Sequence, residues 1–179
     1  NVQSAGGGVL IVGDKLYFYM GGATFARGSR YGDPSGTGLA TLRRDGFASV
    51  DADAHGGTLT TRPLQFSGRR LFVNVDCPAG ELRVEVLDSA GNVLPSFSRR
   101  RCAPLKTDQT AVEVTWDGVT DLRAVAGKPL KLRFHLRQGS LYSFWVSPDG
   151  RGASNGYVGA GGPAFTGPTD TVGLAGSRP

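Results

Sequence analysis

The chain has 179 residues, of which 28 are glycine and 10 are proline, and its formal net charge is +5. This length suffices for one domain with a substantial core, and the glycine and proline content favours short strands joined by turns over a helical protein. The basic residues are interleaved with acidic ones, so we expect a solvated surface and no nucleic-acid partner. No apolar segment approaches the ~20 residues that cross a bilayer, so we expect no membrane span.

The N-terminal part predicts two strands joined by a tight turn. Residues 9–12 and 16–20 are apolar or aromatic and flank a Gly-Asp-Lys turn. The composition of the second segment is typical of a strand covered on both faces. Residues 21–38, rich in Gly, Ser, Arg, Asp and Pro, predict a long exposed loop. Residues 39–50 predict a hairpin-like unit, because Asp45-Gly46 near its centre is a favoured tight-turn dipeptide.

The central part of the chain contains short segments that alternate apolar and polar residues. These segments are residues 57–61, 70–76, 81–87, 111–116 and 130–137. In the last segment the apolar side chains share one face, and Arg133 and His135 lie on the other. A Gln-Gly-Ser turn follows, and residues 141–146 then predict the returning strand of a hairpin.

Short alternating strands separated by turn signals predict an all-β fold. We expect a two-sheet antiparallel β-sandwich of jelly-roll or concanavalin-like type over residues 39–146. Residues 1–38 form a separate unit of strands and loop in this prediction. Residues 147–179, dominated by Gly, Pro, Ser and Thr, predict an extended tail that lies across another surface or is partly disordered.

The cysteines and histidines predict no metal or nucleophile site. Cys77 and Cys102 fit no zinc pattern, because no further Cys or close His completes a ligand set. Two alternatives are open. One is a disulfide between them, which would stabilise the fold by on the order of 3 kcal/mol, and the other is two free thiols. His55 and His135 lack the partners that a His-dependent nucleophile needs.

Closely spaced carboxylates offer one weak candidate for a metal. Asp51 and Asp53 could ligate a structural calcium ion through their oxygens. The rest of an oxygen cage is not evident, and Asp is common in turns because its side chain bonds to nearby backbone. A turn is therefore the favoured interpretation, and we expect no cofactor.

Resemblance to a known family lies in four segments. They are residues 37–50 (TGLATLRRDGFASV), 57–64 (GTLTTRPL), 82–88 (LRVEVLD) and 132–136 (LRFHL). These segments resemble the C-terminal region of bacterial proteins similar to glycoside hydrolase family 32, and the resemblance covers about residues 6–167. In that family a β-propeller carries catalysis and a C-terminal β-sandwich packs against it. The resemblance implies that residues 1–38 correspond to strands of the last propeller blade.

The family's catalytic residues belong to earlier propeller blades, so the resemblance carries no catalytic residue over to this chain. It implies a catalytic propeller of a parent protein as a partner. The segment Asn1-Val2-Gln3-Ser4 lacks the basic and apolar regions of a signal peptide. We therefore expect either export, to the extracellular space or the periplasm, by a segment already removed, or an origin within a longer protein.

Aromatic side chains are the remaining candidates for a sugar site, because sugar rings stack on Trp and Tyr. Alternation along residues 141–146 places Tyr142, Phe144 and Val146 on one face and Leu141, Ser143 and Trp145 on the other. With Phe144 in the core, Trp145 faces outward near Arg133 and His135 of the paired strand. This group is the predicted glycan platform, with Trp116 and Tyr142 as further candidates. The alternative is that Trp145 packs against an adjoining domain.

These observations predict a non-catalytic accessory β-sandwich that binds polysaccharide or oligosaccharide for a secreted glycoside hydrolase-like protein. Two alternatives remain open. One is a free-standing glycoside-active enzyme that uses carboxylates not yet paired, since a glycosidase needs two that face each other across a sugar. The other is a structural interaction domain without a ligand, which should expose an apolar patch.

Overall fold

The computed structural model describes residues 2–4, 8–23 and 35–177. These residues form an all-β fold, with short 3-10 helices at Pro95–Phe97 and Gly173–Ser177. The strands are β1 (Val2–Ser4), β2 (Leu10–Val12), β3 (Lys15–Ala23), β4 (Ser35–Arg43), β5 (Val50–Ala52), β6 (Gly57–Thr60), β7 (Arg70–Asp76), β8 (Glu81–Asp88), β9 (Asp108–Val114), β10 (Leu130–Arg137) and β11 (Gly139–Ser147). In the described part of the chain no helix has the length and apolar character needed to cross a membrane.

The strands pair antiparallel in three sheets. Sheet N has β3 at its centre, with β4 along one side and β1 and β2 along the other. Sheet I has the order β5-β11-β7-β9, and sheet II has the order β6-β10-β8. Sheets I and II enclose the hydrophobic core between them, which confirms the predicted all-β, sandwich-like fold.

The core lies between sheets I and II because alternate residues of their strands are apolar. Its central residues are Leu71, Val73 and Val75 of β7, Leu82, Val84 and Val86 of β8, and Leu132, Phe134 and Leu136 of β10. The rings of Phe134 and Phe144 meet across the core with their centroids 5.0 Å apart. Burying each large apolar side chain stabilises the fold by about 1.5–3 kcal/mol. Because the apolar side chains of sheet II face the core, the polar side chains that alternate with them face outward.

The hairpin predicted over residues 130–146 was wrong, because its two strands lie in different sheets. β10 pairs with β6 and β8, whereas β11 pairs with β5 and β7. Between them Gln138 has a φ of 48°. Gly139 lies so close to Asp76 that a Cβ at position 139 would be 2.4 Å from the Asp76 carbonyl oxygen. The turn is thus a corner that leads from sheet II to sheet I.

A β-bulge in β11 changes which of its side chains face the core. Its register with β7 shifts between Leu141 and Ser143, so that Tyr142 is an extra residue in the ladder. Leu141 therefore packs in the core together with Phe144 and Val146. The predicted placement of Leu141 on the outer face and Tyr142 on the core face was wrong for this reason.

The N-terminal elements were predicted in part. β2 and β3 pair across a two-residue turn, which confirms the first predicted strand pair. The unit predicted over residues 39–50 was wrong, because β4 pairs with β3 while β5 pairs with β11. β4 also spans residue 38, so the predicted boundary between the first two units falls inside a strand. Of the loop predicted over residues 21–38, residues 24–34 lie outside the described residues.

The C-terminal tail lies across the outer face of sheet I. Gly152 in the tail has a φ of 75°, and a Cβ at its position would be 3.0 Å from the Phe72 ring, so the site favours glycine. Further along, the backbone N–H of Ile11 donates a hydrogen bond of 2.7 Å to the Gly161 carbonyl oxygen. The tail thus connects sheet I to sheet N.

A buried carboxylate fixes the end of the tail. Asp170 is 6% exposed and accepts hydrogen bonds from the backbone N–H groups of Ser154, Val172 and Gly173. Burial alone would raise the pKa of Asp170, but these donors outweigh it and hold that pKa below its usual value. The last turn of the tail is therefore held by an ionised side chain.

Candidate functional site: a cleft on the outer face of sheet II

An open cleft lies on the outer face of sheet II. Polar side chains reach this face because the apolar positions of β10 are committed to the core, which leaves Arg133, His135 and Arg137 outward. The cleft has a volume of about 230 Å³. It is lined by His55, Gly56, Gly57, Thr58, Glu81, Arg99, His135, Leu136 and Arg137. We call it the sheet II cleft.

Glu85 supports the sheet II cleft from beneath. It lies on β8 directly opposite Arg133 of β10 and is 6% exposed. Its Oε1 accepts a hydrogen bond of 3.0 Å from Arg133 Nη1 and lies 3.1 Å from His135 Nε2. Its Oε2 accepts a hydrogen bond of 3.3 Å from the backbone N–H of Arg99. One carboxylate thus ties β10 and the loop that carries Arg99 to β8.

The surroundings of Glu85 keep it ionised. Burial would raise the pKa of this carboxyl group, but the His135 ring, the Arg99 N–H and the Arg133 guanidinium together hold the pKa below its usual value. Arg133 is fixed from a second side, because its Nε donates a hydrogen bond of 3.2 Å to Thr60 Oγ1. The charge of Arg133 is therefore compensated within the protein.

His135 is held by Glu85 without a well-aligned hydrogen bond. Its Nε2 is buried and faces the Glu85 carboxylate, but it is not aligned as a hydrogen bond with any atom of the described residues. The side chain of His135 is 14% exposed, and its ring forms part of the cleft wall. The ring is thus positioned beside the cleft by the buried carboxylate.

Two guanidinium groups of the sheet II cleft lack a carboxylate partner. Glu81 at the cleft pairs with Arg83, whose Nε lies 3.5 Å from Glu81 Oε1. Glu85 pairs with an arginine of β10, as described above. Arg99 and Arg137 are exposed, and neither side chain forms an ion pair with a residue in the described ranges. The cleft therefore carries an excess of positive charge.

The predicted glycan platform does not form, because the core separates Trp145 from Arg133 and His135. Trp145 lies on the outer face of sheet I, where its ring stacks on Phe72 with centroids 5.8 Å apart. Its Nε1 donates a hydrogen bond of 2.9 Å to the carbonyl oxygen of Gly152 in the tail. The tryptophan packs against the chain's own tail, whereas the alternative proposed an adjoining domain.

Trp116 and Tyr142 also lie away from the sheet II cleft. Trp116 is 5% exposed, packs edge-on against Phe97 at 5.4 Å and donates a hydrogen bond of 2.9 Å from Nε1 to the Val84 carbonyl oxygen. The guanidinium of Arg43 lies over the ring of Tyr142, with Arg43 Cζ 4.7 Å from the ring centroid. Of the five residues predicted for the glycan site, only the arginine and histidine of β10 are brought together.

The weak calcium candidates bond to nearby side chains and backbone, with Asp51 in β5 and Asp53 directly before a turn. Asp51 accepts a hydrogen bond of 2.8 Å from Ser49 Oγ, and the hydroxyls of Ser140 and Ser49 hold the pKa of Asp51 below its usual value. Asp53 Oδ1 accepts a hydrogen bond of 2.8 Å from the backbone N–H of His55. Within the described residues no group of three or more His, Cys, Asp or Glu side chains could hold a metal ion.

Cys77 and Cys102 are free, buried thiols. Cys77 Sγ donates a hydrogen bond of 3.3 Å to the Leu105 carbonyl oxygen, and Cys102 Sγ accepts one of 3.2 Å from the Val84 N–H. Burial raises the pKa of both thiols. Both cysteines are therefore components of the core.

Sequence patterns missed Glu85, His55, Arg99 and Arg137 as parts of this site. The sequence could have indicated Glu85 and Arg137, because both occupy outward positions in segments that alternate apolar and polar residues. His55 and Arg99 lie in loops, and their positions depend on contacts between segments that are distant in sequence. No local pattern reports such contacts.

No family model, curated protein or solved structure matches this chain. The fold alone does not specify a function, because one architecture hosts many activities. The function is therefore argued from the geometry and charge of the sheet II cleft.

Proposed function

We propose that the chain is a non-catalytic accessory domain that binds polysaccharide in the sheet II cleft. One observation carries this proposal: the side chains of His55, Thr58, Arg99, His135 and Arg137 all line one open cleft. Guanidinium, imidazole and hydroxyl groups supply the donors and acceptors that sugar hydroxyls require. Three of these residues lie on paired strands, which hold binding groups more precisely than loops do.

The geometry does not favour glycoside hydrolysis in this cleft. Glu81 and Glu85 are four residues apart on β8, so their Cα atoms are about 13 Å apart. Glycosidase carboxylates face each other across the sugar, whereas these two project from the same face of one strand. Each of the two is also paired with an arginine. The pKa of Glu85 is lowered, whereas a general acid needs a raised one.

The resemblance to the C-terminal region of family 32 proteins supports a place for this domain beside a catalytic propeller. In this proposal sheet N corresponds to strands of the last propeller blade, and the parent protein is exported to the extracellular space or the periplasm. The tail bonds to sheet N through the Ile11 N–H and covers sheet I. It thereby leaves the sheet II cleft as the open face for polysaccharide.

Retention of the full chain on a panel of insoluble and immobilised polysaccharides tests this function, with release of reducing sugar assayed in the same tubes. We expect retention on at least one polysaccharide without release. Retention on none contradicts binding, and release of reducing sugar identifies an enzyme instead.

A pair of variants locates the binding. Thr58 is exposed and lines the cleft, so Thr58→Tyr should fill it and weaken retention. Thr41 is exposed on β4 of sheet N, and Thr41→Tyr is the matched control that should leave retention unchanged.

Sheet N favours a second candidate function, an interaction domain. Leu10, Tyr19 and Leu39 are 40%, 42% and 49% exposed, and strand pairing with Tyr17 places them on one face. A contiguous exposed apolar patch is typical of a binding surface. Light scattering tests it: a mass above that of one chain, reduced by Leu39→Ser, supports this candidate, and a single-chain mass at all concentrations contradicts self-association.

A further inference from the structure

We propose that the sheet II cleft binds an anionic glycan, with Arg99 and Arg137 holding a carboxylate or sulfate group of a sugar. This inference rests on the proposed function and adds the chemical class of the ligand.

Within the described residues, the pairing of charges leaves Arg99 and Arg137 without a carboxylate partner. Both carboxylates near the cleft, Glu81 and Glu85, are engaged by arginines of sheet II. The Asp53 carboxylate, on the turn that carries His55, bonds to a backbone N–H. A ligand carboxylate or sulfate would supply the negative charge that the protein does not.

The placement of the two guanidinium groups suits one anion. Arg137 ends β10, and Arg99 lies in the loop whose N–H is bound by Glu85 Oε2. Both side chains line the same cleft and are exposed, so a ligand reaches them without displacing a protein partner. The planar fork of a guanidinium matches carboxylate and sulfate oxygens and forms bidentate hydrogen bonds with them. His55, His135 and the hydroxyl of Thr58 surround the remaining volume, where the sugar ring would lie.

The net charge of the chain is +5, so basic side chains also occur away from the cleft. Outside the cleft, some basic side chains, such as Arg62 and Arg69, are exposed and form no ion pair within the described residues, and others are paired with acids. Examples are Arg43 with Asp108, Arg70 with Glu113 and Arg151 with Asp149. The cleft is distinguished by its lining, because Arg99 and Arg137 line it together with both histidines.

Two pairs of glycans that differ only in charge test the inference. Tetragalacturonate and its methyl ester differ in their carboxylates, and dextran sulfate and dextran differ in their sulfates. Dissociation constants of the full chain are measured by titration calorimetry at a fixed salt concentration of about 0.15 M, because charge contacts depend on salt. We expect binding at least 10-fold tighter to the charged member of one pair than to its neutral partner. The pair that shows the difference identifies the anionic group.

A matched set of variants separates the cleft from general surface charge. The double variant Arg99→Gln/Arg137→Gln should weaken binding to the charged glycan at least 10-fold. The control Arg62→Gln/Arg69→Gln removes the same charge from exposed residues outside the cleft and should change binding less than 2-fold.

The possible results are distinguishable. Equal weakening by both double variants overturns the inference, because it shows general attraction between a basic protein and a polyanion. Equal binding to charged and neutral glycans overturns the inference but leaves the proposed function standing. Absence of binding to every polysaccharide of the panel overturns both.

The variants are expected to fold, because exposed residues without ion pairs contribute little to stability. If the double variant fails to fold, Arg99→Lys/Arg137→Lys keeps the charge and removes the bidentate geometry. This second variant should also weaken binding to the charged glycan, and unchanged binding would overturn the role of the guanidinium forks.

Discussion

One buried carboxylate organises the residues of the sheet II cleft. Glu85 lies between Arg133 and His135 of β10 and the backbone of Arg99. A buried charge is tolerated when it is paired and hydrogen-bonded, and this one is both. Its contacts also keep the cleft wall in place, since they join two strands and a loop.

The stability contributed by Glu85 can be measured by substitution. Glu85→Gln keeps the shape of the side chain but leaves Arg133 without its counter-charge, so we expect a loss of about 1–3 kcal/mol in the free energy of unfolding in urea. The control Glu113→Gln breaks a more exposed ion pair with Arg70 and should cost less than about 1 kcal/mol. Equal losses would contradict a special role for Glu85.

The lowered pKa of Glu85 predicts how the free energy of unfolding depends on pH in acid. Its pKa is lower in the folded chain than in the unfolded chain, so its contribution is complete above the unfolded pKa and is lost as pH falls through the folded pKa. Stability should therefore fall less steeply with acid in Glu85→Gln than in the unmodified chain.

Trp145 belongs to the tail contact and not to the cleft. Trp145→Ala removes the stack on Phe72 and the hydrogen bond to Gly152, and we expect a loss of about 2–4 kcal/mol in the free energy of unfolding. Tyr157 is 82% exposed, so the control Tyr157→Ala should change stability by less than about 0.5 kcal/mol. Polysaccharide affinity should be unchanged at a temperature where the variant is folded. A stable variant with reduced affinity would restore the original platform hypothesis.

At the scale of elements, alternation predicts strands well and their partners poorly. The strand over Arg70–Asp76 and the outward position of His135 follow directly from a period of two. The corner at Gln138 and the bulge at Tyr142 do not, because each depends on packing against a distant strand. The corner places Trp145 on the opposite side of the sandwich from the cleft, and the bulge places Leu141 in the core.

Sheet N is joined to sheet I by side chains as well as by the tail. Arg43, the last residue of β4, donates hydrogen bonds to Asn74 Oδ1 at 2.6 Å and to the Val75 carbonyl oxygen at 3.1 Å. The buried amide of Asn74 in turn donates a hydrogen bond of 2.7 Å to the Arg44 carbonyl oxygen. Sheet N thus satisfies a polar group that sheet I buries, and these hydrogen bonds connect sheet N to the sandwich.

The folded molecule should protect both of its thiols. Cys77 and Cys102 are buried and their pKa values are raised, so we expect neither to react with a disulfide reagent until the chain is unfolded. Reductant should leave the melting temperature unchanged. An intact mass that shows an oxidised pair, or a lower melting temperature in reductant, would contradict this.

Histidine NMR during a glycan titration shows directly whether the sheet II cleft holds the ligand. The chain has two histidines, and both line this cleft, whereas Trp116 and Trp145 lie outside it. As an oligosaccharide from a retained polysaccharide is added to the untagged chain, we expect the ring signals of His55 and His135 to shift along one saturation curve. The two indole N–H signals should stay in place. If binding saturates but shifts an indole signal and neither imidazole signal, the ligand lies outside the sheet II cleft. That result would contradict binding in the cleft.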